Sequence, residues 1–223
     1  MLTVIRREPS ATLFAVQLAG VLLYPLMEGY AVGRALFSVF GIFVLWLVLR
    51  IVRSSAALTS VGLLLGIPAT ALLLVQAVRG GDDALLPWSS ALEAALYFYA
   101  AGALIGYMLA DHRITRDELF AVGATFTLVA WAFAYTYTVC QAVEPGTFLA
   151  AEHPHDQRSW VELLFLSFTT LTSTGLSDVV PVRAFGRALV MIEQLAGVAY
   201  VAMVVSRLVG LTLTRRVSGA DGG

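Results

Sequence analysis

The chain has 223 residues, of which 59% are hydrophobic and only 13% are charged. A water-soluble domain carries about a quarter charged residues, so this chain lacks the polar side chains needed to cover a surface that faces water. The formal net charge of -1 indicates no nucleic-acid partner, and the composition as a whole predicts a protein whose solvent is largely membrane lipid.

Six apolar stretches reach or approach the length of a membrane span. They cover residues 10–26, 34–52, 57–78, 90–110, 119–143 and 184–211. Because lipid offers the backbone no hydrogen-bond partners, each stretch should form a helix. Arginines near the predicted helix ends are more numerous on the side that would hold both termini. The positive-inside rule therefore predicts that both termini are cytoplasmic.

The first five stretches contain a few isolated polar residues. The fourth stretch has no arginine, so the membrane potential has nothing to move there, and voltage sensing by that helix is not expected. Gln17 and Glu93 are expected to join neighbouring helices by hydrogen bonds. Asp117 or Thr115 is predicted to cap the fifth helix. The single Cys140 excludes an intrachain disulfide and is interpreted as a packing residue.

The connection between the fifth and sixth stretches is the longest in the chain. It opens with a polar segment, residues 144–158, whose histidines and neighbouring acids are Glu152, His153, His155 and Asp156. Their spacing is not typical of a zinc site, so we interpret these four residues as part of a solvated loop. Residues 160–172, WVELLFLSFTTLT, are apolar but too short to span a bilayer, which predicts a re-entrant helix.

The segment that follows, TSTGLSD at 172–178, has no helical pattern. Non-helical backbone at membrane depth is tolerated only where it is buried in protein or lines a watery path. The hydroxyls of Thr172, Ser173 and Thr174, with nearby carbonyls, offer oxygen ligands to a dehydrated cation, and Gly175 permits unusual backbone angles. The negative end of the preceding helix dipole would also favour a cation. One chain supplies one such loop, so a closed ring needs several chains, most simply four.

Two segments carry a resemblance to a known family. SFTTLTSTGLSDVVP, residues 167–181, resembles the pore loop of the potassium-channel superfamily, whose pattern is Ser-Phe-x-Thr-Leu-Thr-Thr-Val-Gly-Tyr-Gly-Asp, then an apolar pair and Pro. RAFGRALVMIEQLAGVAYVAMVVSRLVG, residues 183–210, resembles the inner helix of prokaryotic members, with Glu193 in mid-helix and Gly197 four residues on. The resemblance covers roughly 117–213 and implies a homotetramer in a prokaryotic plasma membrane, permeant K⁺ or Na⁺, and no cofactor or soluble partner.

The resemblance also implies roles for individual residues. The filter residues would be Thr172, Ser173, Thr174, Gly175, Leu176, Ser177 and Asp178, with a monovalent cation at the first four. Pore-helix support would come from Trp160, Glu162 and Phe168, and inner-helix support or a hinge from Glu193 and Gly197. Several alternatives stay open: Glu162 as a simple cap, Glu193 in permeation or pH sensing, Gly197 as a packing residue, and Asp178 as a cation attractor or a filter brace.

The sequence of the predicted filter departs from the family pattern. Leu176 replaces a tyrosine whose hydroxyl, in the family, ties the filter to surrounding aromatic residues, and leucine cannot donate that hydrogen bond. Ser177 replaces a glycine, and a left-handed backbone there would cost about 1–2 kcal/mol. We therefore expect weakened discrimination between K⁺ and Na⁺.

The sequence thus predicts an all-α membrane protein with six transmembrane helices, a re-entrant pore helix and a filter loop, assembled as a homotetramer. Residues 1–112 would form a four-helix N-terminal membrane domain, 113–216 the pore domain, and 217–223 a disordered tail. The predicted function is a passive cation channel. The alternative is a non-conducting membrane scaffold or sensor with a degenerate pore module. No nucleophile with a base and no phosphate-binding loop appears, so an enzyme is not expected.

Overall fold

The computed structural model describes residues 9–27, 40, 43–44, 46–47, 56–79, 84–110, 116–154 and 156–220. Its elements, in chain order, are α1 (Pro9–Met27), α2 (Ala56–Arg79), α3 (Leu86–Ala110), α4 (Arg116–Val143), β1 (Phe148–Ala150), α5 (Trp160–Leu171), β2 (Val179–Pro181) and α6 (Ala184–Ala220). The dominance of helix agrees with the predicted class, because helices satisfy their backbone groups internally when the surroundings are apolar.

Helices α3, α4 and the Ala184–Val209 part of α6 are each long and apolar enough to cross a membrane. Helices α1 and α2 contribute shorter apolar helical segments, Pro9–Leu23 and Ser60–Gln76. The predicted stretch 34–52 lies mostly outside the described residues, and the five of its residues that are described are helical. The long apolar helices support an integral membrane protein, while the full set of six spans stays a prediction.

The start of α1 is tied to the start of α4. The Asp117 carboxylate accepts hydrogen bonds from the Ser10 backbone N–H (3.1 Å) and from the Ser10 hydroxyl (2.9 Å). Asp117 therefore caps the start of α1, and because α4 begins at Arg116, Asp117 lies inside its own helix and not at the cap position. The other predicted cap, Thr115, lies outside the described residues.

Helices α3 and α4 form the largest contact in the described chain. Glu93 on α3 is 2% exposed and its carboxyl contacts the Tyr135 hydroxyl of α4, as expected of a polar residue that joins helices. The ring of Tyr97 stacks on Tyr135 at 5.6 Å and meets Trp131 edge-on at 5.9 Å. The other predicted joining residue, Gln17, is fully buried, and its side-chain amide has no hydrogen-bond partner among the described residues.

Two short antiparallel strands flank α5 in sequence and pair with each other. In their register Phe148 is opposite Pro181, Leu149 opposite Val180, and Ala150 opposite Val179. The sequence analysis predicts no strand at β1, because three residues are too few to show a strand's alternating pattern. The buried Phe148 packs against the Tyr137 ring at 5.1 Å, so the strand pair fixes both connections of α5 against α4.

Helix α6 is longer than the sequence analysis predicts. It continues to Ala220, past the predicted span end at 211 and into the predicted tail 217–223. No proline follows Pro181, so nothing in this part of the chain forces the helix to stop. Only 17% of its most apolar window is buried within the chain, against 61% for α4. Helix α4 is thus the centre of the packing, and α6 lies against one side of it.

Candidate functional site

Helix α5 begins with a capping box. The Ser159 hydroxyl accepts a hydrogen bond from the Glu162 backbone N–H at 3.4 Å, and the Glu162 carboxylate accepts one from the Ser159 N–H at 2.6 Å. Two free amides at the helix start are thereby satisfied reciprocally. This geometry agrees with the interpretation of Glu162 as a helix cap.

Trp160, a predicted support residue, is the first residue of α5. Its ring lies 5.4 Å from the rings of Trp131 and Tyr135.

Arg158 organises the chain just before α5. Its side chain is 2% exposed and donates to the carbonyls of Glu152, His153 and Asp156, and to the Glu162 carboxylate at 3.2 Å. Its own backbone N–H and carbonyl pair with the side-chain amide of Gln141 on α4, at 3.1 and 2.9 Å. The entry to α5 is therefore fixed to α4 through a buried arginine, which the sequence interpretation as a solvated loop did not anticipate.

The acidic and histidine residues of this connection lie on the surface. Glu152, His153 and Asp156 are exposed, and His155 is outside the described residues. In the part of the chain that the structure describes, no group of three or more His, Cys, Asp or Glu side chains is placed to hold a metal ion.

Glu193 lies at the meeting point of three helices. It is fully buried, and its carboxyl accepts hydrogen bonds from the Tyr137 hydroxyl of α4 and the Ser167 hydroxyl of α5. The Ser167 oxygen also lies 2.8 Å from the carbonyl of Ala130. Burying an acid in an apolar span requires such partners, and both carboxyl oxygens have one. This placement favours the support role of Glu193 over a role in permeation.

Gly197 marks the closest approach of α6 to α5. A Cβ atom at this position would lie 2.9 Å from the carbonyl carbon of Leu171 and closer still to its oxygen. Real Cβ atoms do not come this near to backbone, so any larger residue would push the two helices apart. Gly197 is therefore a packing residue in this structure. Phe168, a predicted support residue of α5, packs against Phe126 with ring centroids 6.2 Å apart.

The 172–178 loop closes the C-terminal end of α5. The amides of Thr174 and Gly175 both donate to the Thr169 carbonyl, at 2.9 and 3.1 Å, and the Ser173 amide donates to the Thr170 carbonyl at 2.9 Å. These bonds form a Schellman-type cap, in which amides after the helix satisfy its last carbonyls. The first residues of the loop thus have a defined conformation, set by the helix that precedes them.

Two residues of the loop adopt left-handed backbone angles. Gly175 has φ 65°, as the sequence analysis expects, and Ser173 has φ 58°. A left-handed non-glycine residue costs about 1–2 kcal/mol, and in this loop that residue is Ser173. The cost considered for Ser177 applied only to a left-handed backbone, and Ser177 does not have a positive φ. Its hydroxyl instead accepts the Val179 amide at 3.1 Å in a local turn.

The loop presents oxygen atoms on its open side. Residues 172–176 are exposed, and none of the described residues donates a hydrogen bond to their backbone carbonyls. The Thr172 and Thr174 hydroxyls lie 3.0 Å apart, and Thr172 also donates to the Phe168 carbonyl at 2.7 Å. Leu176 is 76% exposed, and Asp178 is exposed at the far end of the loop. Backbone carbonyl oxygens that lack a hydrogen-bond donor are the kind of ligand that can replace the hydration shell of a cation.

Sequence reasoning missed several residues that hold this arrangement. Tyr137 and Ser167 are the partners of Glu193, and Tyr200 on α6 donates to the Val122 carbonyl of α4 at 2.7 Å. One signal could have found Tyr200: the polar side chains Glu193, Tyr200 and Arg207 are spaced seven residues apart, which places them on one helix face. Neither Tyr137, one of four hydroxyl-bearing residues in a row at 135–138, nor Ser167, the first residue of the 167–181 pattern, carries a signal that identifies its partner.

Comparison with known proteins agrees with the site. Residues 123–213 match the family model described as "Ion channel", which covers α5, the 172–178 loop and most of α4 and α6. The match spans somewhat less than half of the chain. Neither curated proteins nor solved structures gave a match. The matched region supports an ion-channel pore domain in an integral membrane protein, and it points to a channel and not to an enzyme, as the sequence predicts.

Proposed function

We propose that the ion-channel pore domain of this chain assembles as a homotetramer and passes monovalent cations, with weak discrimination between K⁺ and Na⁺. One observation carries the proposal: residues 172–176 are exposed at the C-terminal end of α5, and none of the described residues donates a hydrogen bond to their backbone carbonyls. A cation that leaves water needs such oxygens. Flow would be passive and would require no cofactor.

A tetramer follows from the number of loops. One chain offers one row of carbonyls, and cyclic symmetry around an axis completes a ring from identical copies. Helix α6 has an apolar face available for the axis and the neighbouring subunits, formed by the exposed side chains Ile192, Leu195, Val198, Val201 and Val205. A purified protein in mild detergent should therefore have four times the mass of one chain in native mass spectrometry.

Weak selectivity is proposed from the outer half of the loop. Leu176 is largely exposed and has no group that can donate a hydrogen bond to the aromatic residues around α5. Ser177 uses its hydroxyl within its own turn. Few hydrogen bonds therefore hold the outer half of the loop to the rest of the protein. Its conformation would adapt to ions of different size. The exposed Asp178 would raise the local cation concentration at the mouth.

The proposed setting is a prokaryotic plasma membrane with both termini cytoplasmic and lipid as the other partner. The two proposed membrane units are residues 1–112 and the pore domain at 113–216. The bond between Ser10 and Asp117 supports this orientation, because it places the starts of α1 and α4 on the same side. Reporter fusions at the two termini should both give cytoplasmic signals, and a periplasmic signal from either would contradict the arrangement.

The decisive experiment is cation flux in liposomes with two matched glycine variants. Gly175→Ala and Gly146→Ala each place a side chain at a left-handed residue, with φ 65° and 77° and open space around both. They should share a similar backbone cost of about 1–2 kcal/mol. If the loop conducts, Gly175→Ala should lower K⁺ flux at least about tenfold, while Gly146→Ala, which lies before β1, should leave flux unchanged.

Bi-ionic reversal potentials then test selectivity. We expect K⁺ and Na⁺ to give similar permeabilities, and a strongly K⁺-selective potential would contradict the weak-selectivity proposal. Absence of flux from correctly assembled protein would contradict conduction and favour the scaffold alternative.

A further inference from the structure

Four aromatic rings join α3 to the start of α5. Tyr97 lies on α3, Trp131 and Tyr135 lie on α4, and Trp160 is the first residue of α5. Tyr97 contacts both rings of α4, with centroid distances of 5.9 and 5.6 Å, and Trp160 contacts the same two rings at 5.4 Å each. Aromatic pairs at such distances attract each other beyond the burial of their surface. This four-ring cluster therefore connects α3 to α5 by two routes, one through each ring of α4.

Glu93 fixes the cluster from the side of α3. Its side chain is 2% exposed, lies one helical turn before Tyr97 and accepts a hydrogen bond from the Tyr135 hydroxyl. An acid buried among apolar helices is costly without a partner, and this bond supplies one. The bond also fixes the position of a ring that packs directly on Trp160. Glu93 itself lies outside the residues 123–213 that match the ion-channel family.

The position of Trp160 affects the loop at the other end of α5. The helix has 12 residues and rises about 18 Å. It is held by Glu193 at Ser167 and by close packing against Gly197 at its last residue, so a shift of its start would tilt it about these contacts. Gln141 also holds the backbone just before α5, so the cluster adjusts the tilt of a helix that stays attached. A small tilt is enough, because a binding site needs its ligands held to within about 0.5 Å.

We propose that Glu93 is a positioning residue for conduction: by holding Tyr135 it sets the tilt of α5, and so the distances between the carbonyls of the 172–178 loop and a passing cation. This inference rests on the proposed cation channel. It gives the proposed N-terminal unit, residues 1–112, a part in ion passage, because Glu93 belongs to that unit. The effect acts within one subunit and reaches the loop through side chains that the structure describes.

The test is the single-channel K⁺ conductance of Glu93→Leu, Tyr135→Phe and Glu93→Gln in planar bilayers. Leucine cannot accept the hydrogen bond and phenylalanine cannot donate it, whereas the glutamine amide keeps an acceptor oxygen. The first two variants should lower the conductance at least about threefold, which is less than the factor of roughly ten that one hydrogen bond can be worth. Glu93→Gln should retain the parent conductance. The conductance of one open channel does not depend on how much protein folds, so a merely structural role would leave it unchanged.

A double variant and a matched control sharpen the test. Glu93→Leu/Tyr135→Phe should conduct like either single variant, because both changes remove the same bond, whereas independent effects would multiply to about ninefold. Gln76→Leu is the control, since it removes a 2.9 Å hydrogen bond to Ser89 that joins α2 to α3 and does not involve the four-ring cluster. It should lower stability through the loss of a similar bond and leave the conductance unchanged.

Several outcomes would overturn the inference. Glu93→Leu and Tyr135→Phe tetramers that conduct like the parent would contradict it, and so would a Gln76→Leu channel with an equally lowered conductance. If Glu93→Leu does not assemble, Tyr135→Phe decides, because it keeps all four rings. Failure of both to form tetramers would mean that the contact serves folding and not the position of α5. A parent protein that carries no cation current would instead contradict the proposed function.

Discussion

Replacing Gly197 by alanine should separate the inner helix from the pore helix. The added Cβ would lie 2.9 Å from the Leu171 carbonyl carbon, whereas carbon atoms in favourable contact are about 3.5–4.0 Å apart. The two backbones must therefore move apart by at least roughly 0.6–1.1 Å, because the Leu171 carbonyl oxygen lies closer still to the added Cβ. Neither can yield by rotating a side chain, because the opposing atoms are backbone. Overpacking of this kind costs about 1–3 kcal/mol per subunit.

The displacement falls at a sensitive place. Leu171 is the last residue of α5, and the cap formed by Ser173, Thr174 and Gly175 begins directly after it. A shift of the helix end therefore moves the carbonyls of the loop. We expect Gly197→Ala to lower the thermal stability of the protein and to reduce cation flux or change its K⁺/Na⁺ ratio.

The assay compares Gly197→Ala with Gly102→Ala or Gly106→Ala by thermal unfolding and liposome flux. A Cβ at either control position of α3 meets no atom within 4 Å, and alanine is the better helix former by about 0.5–1 kcal/mol. Both controls should therefore be neutral or slightly stabilising. The packing explanation is refuted if Gly197→Ala is as stable and as active as the controls. A variant with parent-like stability but altered gating would indicate a hinge.

Three further substitutions test the supports of the pore helix. Tyr137→Phe removes one of the two hydrogen bonds to the buried Glu193 and should cost about 1–3 kcal/mol in unfolding free energy, and an unchanged unfolding free energy would contradict this contact. Ser159→Ala removes the cap of α5 and should cost about 0.5–2 kcal/mol in the same measurement, and an unchanged midpoint would contradict the capping geometry. Ser173→Gly relieves a left-handed serine and should raise the unfolding midpoint, and a lowered midpoint would contradict backbone strain at this residue.

Much of the architecture follows from hydropathy. In the structure the long apolar stretches form α3, α4 and α6, and the shorter run at 160–172 forms α5. A helix is expected for each because an apolar segment in lipid must satisfy its backbone hydrogen bonds internally. The strands β1 and β2 could not be predicted in the same way. Each of these three-residue strands exists only through pairing with the other strand, more than 25 residues away in sequence. Neither is long enough to show the alternation of apolar and polar residues that identifies a strand.

The site was predictable in position but not in its bonds. The pattern of Ser, Thr and Gly after a short apolar helix indicated the 172–178 loop. The backbone angles within it depend on how the end of α5 is capped, and for this reason the strain lies at Ser173 and not at Ser177. The hydrogen-bond partners of Glu193 could not be predicted from its neighbours in sequence, because Ser167 and Tyr137 are 26 and 56 residues away.

The cap of α1 has a consequence for how this chain is made. Ser10 receives its hydrogen bonds from Asp117, 107 residues later in the sequence. During synthesis the first helix is complete long before its capping carboxylate has been added to the chain, at typical rates of about 5–20 residues per second. The first turn of α1 therefore lacks its capping carboxylate for several seconds. The bond between Ser10 and Asp117 can form only after the start of α4 has been made, so the position of α1 becomes fixed late in synthesis.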